Sequence, residues 1–477
     1  MLHRIVRAGS VVVAAIMLVA CDAGRTHRAA GPPNIVFILV DDLGYTDLAC
    51  YGSRYYETPN IDSLARSGLR MTDAYTAGPN CEPTRAALMA GQYGPRTGVY
   101  TVGGIGRFER RGRALRPVRN VTRLPLEKFT IAQALERAGY VTGMFGKWHL
   151  GDEGAYHPSR RGFDEAIVSQ DTHFGFATYP PVAHAPGAYL TDFLTDQAVD
   201  FIRRHRNERF FLYLPHFAVH RPHAAKPELI AHFRDKPAAG GHFNPTYAAM
   251  IASVDQSVGR IMAALDQLEL ADDTLVIFSS DNGGVGGYER KGRERTAGIT
   301  DNAPLRSGKG SLYEGGIRVP TIFRWPGEIP PGTTSGTPIT SVDLFPTLLA
   351  LAGARPPMDH PLDGVSLASL LTSGGKDGLA RAAIYWHFPG YLGRLDEGRW
   401  RTTPVGVIRA GDWKLLEFFE DGRLELYNLR DDVGESSNLA ATMPELAKEL
   451  QARLAAWRKD VSAPMPTARG KETTGGE

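Results

Sequence analysis

The sequence predicts an α/β protein: a large, mainly parallel sheet sandwiched by helices, followed by a small C-terminal domain of antiparallel sheet plus one helix. Three observations carry this expectation. Apolar runs such as IVFILV (35–40) and TLVIFS (274–279) are continuous rather than alternating, as in strands covered on both faces. These runs alternate with segments of helical apolar spacing, the order that builds parallel βαβ units. After about residue 375 the pattern changes to short strands, with Asp421-Gly422 between two of them as a hairpin signal.

Taken in order, Ile35 to Val40 is the first buried strand. Thr58-Pro59 opens a helix that Gly68 closes, with N-cap, first-position proline and trailing glycine in place. Thr130 caps a helix through Ala138, ended by Gly139, and Tyr140 to Phe145 follows as a strand. Helical spacing covers Tyr189 to Arg206, and Phe210 to Leu214 is the next strand. A long amphipathic helix over Tyr247 to Leu268 precedes the strand Thr274 to Ser279. Further on, Tyr385 to Phe388, Gly406 to Arg409, Lys414 to Phe418 and Leu424 to Tyr427 are short strands, and Pro444 to Arg458 is a helix. Residues 34–379 are therefore expected to form the large domain, 380–463 the small one, and 464–477 a frayed polar tail.

Composition narrows the function. Lys plus Arg number 54 against 52 Asp plus Glu, a net charge of +2, which argues against a dedicated nucleic-acid binder. A 43% hydrophobic and 22% charged chain of 477 residues buries a core, so disorder is excluded as the main state. Three cysteines, Cys21, Cys50 and Cys81, are too few for a disulfide scaffold, and Cys50 is expected to be a buried free thiol. Arg4 and Arg7 precede an apolar run, Val11 to Ala20, that is too short to span a bilayer. It ends in Leu18-Val19-Ala20-Cys21, which resembles a bacterial lipobox. The expectation is a lipoprotein signal peptide over 1–21, lipidation of Cys21, a polar tether over 22–33, and export to a bacterial membrane, in the periplasm or at the cell surface.

Chemistry-bearing residues sit just after the strands, where open α/β sheets collect ligands. Asp41-Asp42 follow IVFILV, Asp281-Asn282 follow TLVIFSS, Lys147 and His149 follow the Tyr140 strand, and His216, His220 and His223 follow FFLYL. The Asp and Asn side chains offer hard oxygen ligands, which suit Ca²⁺ or Mg²⁺ better than Zn²⁺. Either acidic pair alone also fits a turn or a helix cap. Both together, each after a buried strand, favour a divalent site.

Cys81-Glu82-Pro83-Thr84-Arg85 has the form C-x-P-x-R and enters a short helix. With it, the chain resembles the type I (formylglycine-dependent) sulfatases of the alkaline phosphatase superfamily. The likeness includes PNIVFILVDDLGYTDLACYG, TPNIDSLARSG, GKWHLG, HFAVHRPH, FSSDNGG, LRSGKGSLYEGGIRVP and GVIRAGDWKLLEFFEDGRLELYNL, and it covers most of residues 34–440. It implies an alkaline phosphatase-like fold in which residues 34–379 hydrolyse sulfate esters. By family match Cys81 is oxidised to formylglycine by a formylglycine-generating enzyme, and its hydrate attacks sulfur. The same resemblance implies that Asp41, Asp42, Asp281, Asn282 and the modified Cys81 would hold Ca²⁺ and that Arg85 would hold the modified residue. By the same match Lys147 and Lys309 would bind sulfate, His149 would serve the hydrate, and His220 would protonate the leaving oxygen. Thr84 stands where the family commonly has Ser, with the hydroxyl retained. A further sulfate contact falls among Ser169, Thr172 and His173.

For the substrate, seven of the seventeen residues from Arg107 to Arg123 are Arg, a loop suited to a polyanionic glycan or simply to solvent. Tyr385-Trp386-His387-Phe388 resembles a stretch bordering the cleft in bacterial carbohydrate sulfatases, so His387 is expected to touch a sugar. A sulfated glycan is the expected substrate. The alternatives are a phosphonate monoester or phosphodiester hydrolase of the same superfamily, and a non-catalytic glycan-binding lipoprotein; the filled nucleophile, ligand and acid/base positions oppose the latter.

Overall fold

Eight strands form the large sheet, in the order Thr333–Ser335, Leu69–Met71, Thr321–Arg324, Thr274–Ser280, Asn34–Val40, Phe210–His216, Val141–Gly146 and Glu165–Val168. Neighbours are parallel except where Thr321–Arg324 meets Leu69–Met71 and Thr274–Ser280. The computed structural model describes residues 31–104, 112–288, 299–394 and 400–469. The expected signal peptide, Cys21 and most of the tether lie outside them, as do Arg107, Arg110 and Arg111.

Every residue of Asn34–Val40 is buried, and its side chains alternate between two apolar cores. Val36, Ile38 and Val40 pack with residues of the helices Leu190–Arg204 and Pro245–Gln267. Ile35, Phe37 and Leu39 pack with Cys81–Ala90, Ile131–Arg137 and Leu344–Ala352. Helices on both faces explain why the strand reads as a continuous apolar run.

Local signals were met in different ways. Thr130 and Gln133 form a reciprocal capping box at Ile131–Arg137. Thr58 does not cap its helix through its side chain; its hydroxyl donates to Asp62 Oδ1 at 3.0 Å. Gly68 is required by proximity rather than by a left-handed turn, since a Cβ there would lie 2.2 Å from the Phe323 carbonyl oxygen.

The small sheet runs Ile384–Phe388, Val405–Ala410, Trp413–Phe418 and Leu424–Asn428, each antiparallel to the next. Asp421-Gly422 makes the last turn, with Gly422 at φ 71° and its N–H donating to the Phe418 carbonyl. One face shares a core with Tyr75, Tyr100 and Ile317 of the large domain; the other packs Ile408, Leu415 and Leu426 against Leu450 and Leu454 of the helix Pro444–Asp460. From Pro32 onward the described residues thus form one compact unit, and the 379/380 boundary adjoins a shared core. The tail does not fray at Pro464: Thr467–Ala468 pairs antiparallel with Leu115–Arg116. No helix among the described residues is long and apolar enough to cross a membrane.

Candidate active site

Four adjacent parallel strands, Thr274–Ser280, Asn34–Val40, Phe210–His216 and Val141–Gly146, end on the same edge. Asp281-Asn282, Asp41-Asp42, the segment to His220, and Lys147 with His149 emerge there side by side. Gly146 permits this crowding, because a Cβ on it would sit 2.0 Å from the Pro215 carbonyl oxygen. Asp42 and His149 adopt left-handed φ values of 67° and 60°, unfavourable for side-chain-bearing residues and characteristic of functional sites. Cys81 opens a ten-residue helix buried along its whole length, so it lies at the positive end of the helix.

Arg85, one turn further on, organises the cluster. Its Nε and Nη2 donate to Asp281 Oδ2 at 2.9 and 2.6 Å, and its Nη1 donates to the Lys147 carbonyl at 2.6 Å. Lys147 pairs with Asp41, and Lys309 Nζ lies 2.5 Å from Asp42 Oδ1. Asn282 Nδ2 donates to the same Asp42 oxygen at 2.8 Å. Burial opposes charge on Asp42, yet Lys309, His220 and Lys147 hold its carboxyl well below the usual range. Burial and the Asp41 charge push Asp281 upward against the pull of Arg85. Burial likewise pushes the Cys81 thiol up to about 12.

His220 Nδ1–H donates to the Arg221 carbonyl at 2.6 Å, which leaves Nε2 facing the cleft, 3.8 Å from Asp42 Oδ2. Burial lowers the His220 pKa to about 4, and that of His149 well below its ordinary value.

The donor set fits a divalent cation. Oδ1 of Asp41 and Oδ1 of Asn282 are buried without a hydrogen-bond partner, an arrangement that costs about 1–3 kcal/mol per group unless a ligand satisfies it. Ligand atoms of Asp41, Asp42, Cys81 and His220 all lie within 4.8 Å of one another. Oxygen donors dominate, the preference of a hard cation.

These groups line a cleft of about 600 Å³ that brings together Asp42, Cys81, Lys147, His149, His220 and Lys309 as expected from sequence. The cleft also contains His223 and, unforeseen, Gln170, Asp171 and Arg401. Asp41, Arg85, Asp281 and Asn282 form its fully buried floor. Other expectations require correction. His387 is not in the cleft: it is buried, with Nε2 donating to the Pro464 carbonyl at 2.8 Å. Its neighbours are equally occupied, Tyr385 stacking on Trp457 and Trp386 Nε1 donating to the Thr76 carbonyl. His216 instead meets Ser257 Oγ at 2.9 Å. Ser169, Thr172 and His173 bind the carbonyls of Ala177, Phe174 and His220, and none lines the cleft. Among the described arginines of the 107–123 stretch, Arg113 lies over Tyr391 and Trp400, and Arg123 over Tyr156. Cys50 is half-buried and free, its thiol pushed up by burial and by Asp62.

Comparison with known proteins agrees with this geometry. The sulfatase family profile matches residues 33–354, and the C-terminal profile of N-sulphoglucosamine sulphohydrolase matches residues 308–460. A sulfatase of Formosa agariphila is 34% identical over 91% of this chain and 90% of its own. Human N-acetylgalactosamine-6-sulfatase is 36% identical over 72% of this chain and 67% of its own. The crystal structure of Ps i-CgsB in complex with k-i-k-neocarrahexaose superposes with a TM-score of 0.75 at 31% identity, covering 93% of this chain and 96% of that one. The chain belongs to the sulfatase family, as a type I sulfatase of the alkaline phosphatase superfamily. It is a sulfuric ester hydrolase.

Proposed function

We propose that this sulfatase removes sulfate from a sulfated carbohydrate, using Cys81 as formylglycine and Ca²⁺ held by Asp41, Asp42, Asp281, Asn282 and the modified Cys81. The observation that carries the reading is Cys81 at a buried helix start, its sulfur within 4.8 Å of Asp41 and Asp42 oxygens, in a cluster that leaves an Asp and an Asn oxygen unpartnered. The substrate class is supported by the relatives, whose names include an N-acetylgalactosamine-6-sulfatase and a complex with k-i-k-neocarrahexaose.

Once converted and hydrated, residue 81 supplies an oxygen nucleophile, and the cation supplies polarisation of sulfate oxygens. Arg85 fixes Asp281 and the Lys147 backbone, so the nucleophile and the lysines keep one geometry. Lys147 and Lys309 neutralise the charge on the transferring sulfate. His220, with Nδ1–H committed to the Arg221 carbonyl, has only Nε2 to deliver a proton to the leaving sugar oxygen. A sulfate anion beside it favours the protonated ring, offsetting the effect of burial. His149 receives a proton from the nucleophile side. Export and lipidation at Cys21 form part of the proposal on the strength of residues 1–21 alone.

A panel of defined sulfated mono- and oligosaccharides, assayed for released sulfate, tests the substrate class; turnover of aryl sulfate with none of any sugar rejects it. Peptide mass spectrometry of the active enzyme should find an aldehyde at Cys81. Full activity with only a thiol there rejects the nucleophile.

A further inference from the structure

Arg401, like Asp171 and Arg221, is a charged residue of the cleft whose side chain the reaction as described does not use. It lies on the short strand Trp400–Thr402, paired with Leu392–Arg394, and reaches the cleft beside Gly310 and Gly393. Its Nη1 donates to the Lys309 carbonyl at 3.0 Å, and its guanidinium carbon lies 4.1 Å from the centre of the Tyr288 ring. Tyr288 donates its hydroxyl to the same Lys309 carbonyl at 2.9 Å. The side chain is therefore held in place next to a lysine that faces the reacting group. Yet its Nε is buried without a hydrogen-bond partner, and no carboxylate among the described residues pairs with it.

Arg401 also borders a second cavity of about 370 Å³, which Tyr288, Tyr313, Trp400 and Arg306 help to line. Arg401 thus borders both the reacting cleft and a space walled in part by aromatic rings, Tyr288 among them. A positioned guanidinium with an unused donor is poorly compensated when solvent is displaced, and its planar fork matches sulfate and carboxylate groups. Aromatic walls beside it suit the apolar face of a sugar ring.

We propose that Arg401 is an anion subsite, distinct from the reacting-sulfate site, that takes a second acidic group of the same glycan: a sulfate ester or uronate carboxylate on the neighbouring unit, whose ring enters the Tyr288–Trp400–Tyr313 cavity. This rests on the carbohydrate reading above. The preferred substrate is then an oligosaccharide with acidic groups on adjacent units.

The test uses the matured enzyme and four substrates: nitrophenyl sulfate, and three disaccharides with the same reactive sulfate and a neutral, sulfated or uronate neighbour. Wild-type enzyme should show a lower KM for an acidic neighbour, and 0.5 M salt should erase most of that preference. Arg401→Gln should raise KM for the acidic-neighbour substrate about 10- to 100-fold more than for the neutral one, as expected for a lost charge-assisted contact. Arg401→Lys should restore part of the preference for a sulfated neighbour and less for a carboxylate. Which disaccharide responds identifies the anion. Equal losses on all four substrates, or a loss in kcat alone, assign Arg401 to support of the Lys309 backbone and overturn the subsite. A wild-type enzyme indifferent to the neighbour's charge overturns it without any variant. Cleavage of nitrophenyl sulfate with none of the sugars rejects the carbohydrate reading, and the subsite with it.

Discussion

His220 shows how one backbone contact decides which ring nitrogen faces the cleft. Because its Nδ1–H is committed to the Arg221 carbonyl, Nε2 alone faces the cleft. A sugar alkoxide leaves poorly without a proton, whereas nitrophenolate needs little help, and general acid catalysis typically contributes about 10²–10⁴-fold. His220→Ala should therefore lose most of that factor on a sugar sulfate and far less on nitrophenyl sulfate. Equal losses, with metal content and folding intact, would assign the ring to packing and move the search for the acid to Lys309 or His223. The residues of this chemistry were legible because they are local in sequence: Cys81 and Arg85 are one helical turn apart, and each acidic pair follows a buried run. His387 was misread because an aromatic–His string indicates only a strand, and which face reaches the cleft depends on packing around Pro464 and Phe419.

Among the elements, Trp413–Phe418 joins the small sheet to the large domain through charge as well as apolar contact. Lys414, fully buried, lies 2.9 Å from Glu314 and 2.8 Å from Glu435. Burial would raise Glu314, but Lys414, Arg318 and Arg409 hold it down at about 2. Burial pushes Glu435 up to about 7, with the Glu314 charge adding to the effect and Lys414 opposing it. Since the folded value of Glu435 lies above its ordinary 4.5, its contribution to stability is complete below about pH 4.5 and is lost as pH rises through 7. Glu314 does the reverse: its contribution is present above 4.5 and is lost as pH falls toward 2. Chemical denaturation of wild type and Glu435→Gln should thus show wild type losing roughly 1–3 kcal/mol relative to the variant between pH 5 and pH 8. Parallel stability curves would refute this account of the junction. No spacing rule announces the triad, because Glu314, Lys414 and Glu435 come from three segments joined only by tertiary packing.

For the whole molecule, the cluster of three carboxylates and one Asn amide joins strand ends distant in sequence, so a cation held there would tie the sheet edge together. Chelation should abolish turnover, Ca²⁺ should restore it, and the melting temperature should fall on metal removal. A ligand at about 100 times its Kd stabilises the fold by about 2.7 kcal/mol. Restoration by Zn²⁺ alone, with two ions per chain, would place the chemistry on the phosphatase branch instead.

The sequence by itself determined the class of fold, the central strands and the residues that gather at the sheet edge, because each is encoded in a short contiguous stretch: a buried run, its terminal dipeptide, one helical turn. Tertiary structure alone decided that Thr274–Ser280, Asn34–Val40, Phe210–His216 and Val141–Gly146 are neighbours in that order. It also decided that the short strands Leu69–Met71, Thr321–Arg324 and Thr333–Ser335 extend the sheet, since three or four residues carry too little periodicity to be read alone. The same holds for the rim of the cleft. Arg401 stands 92 residues from Lys309 and reaches it because Trp400–Thr402 pairs with Leu392–Arg394 and Thr402 donates to the Gly310 carbonyl. The groups gathered at the sheet edge are written locally, after a strand or within one helical turn; the rim of the cleft comes from distant loops, whose meeting is settled only by packing.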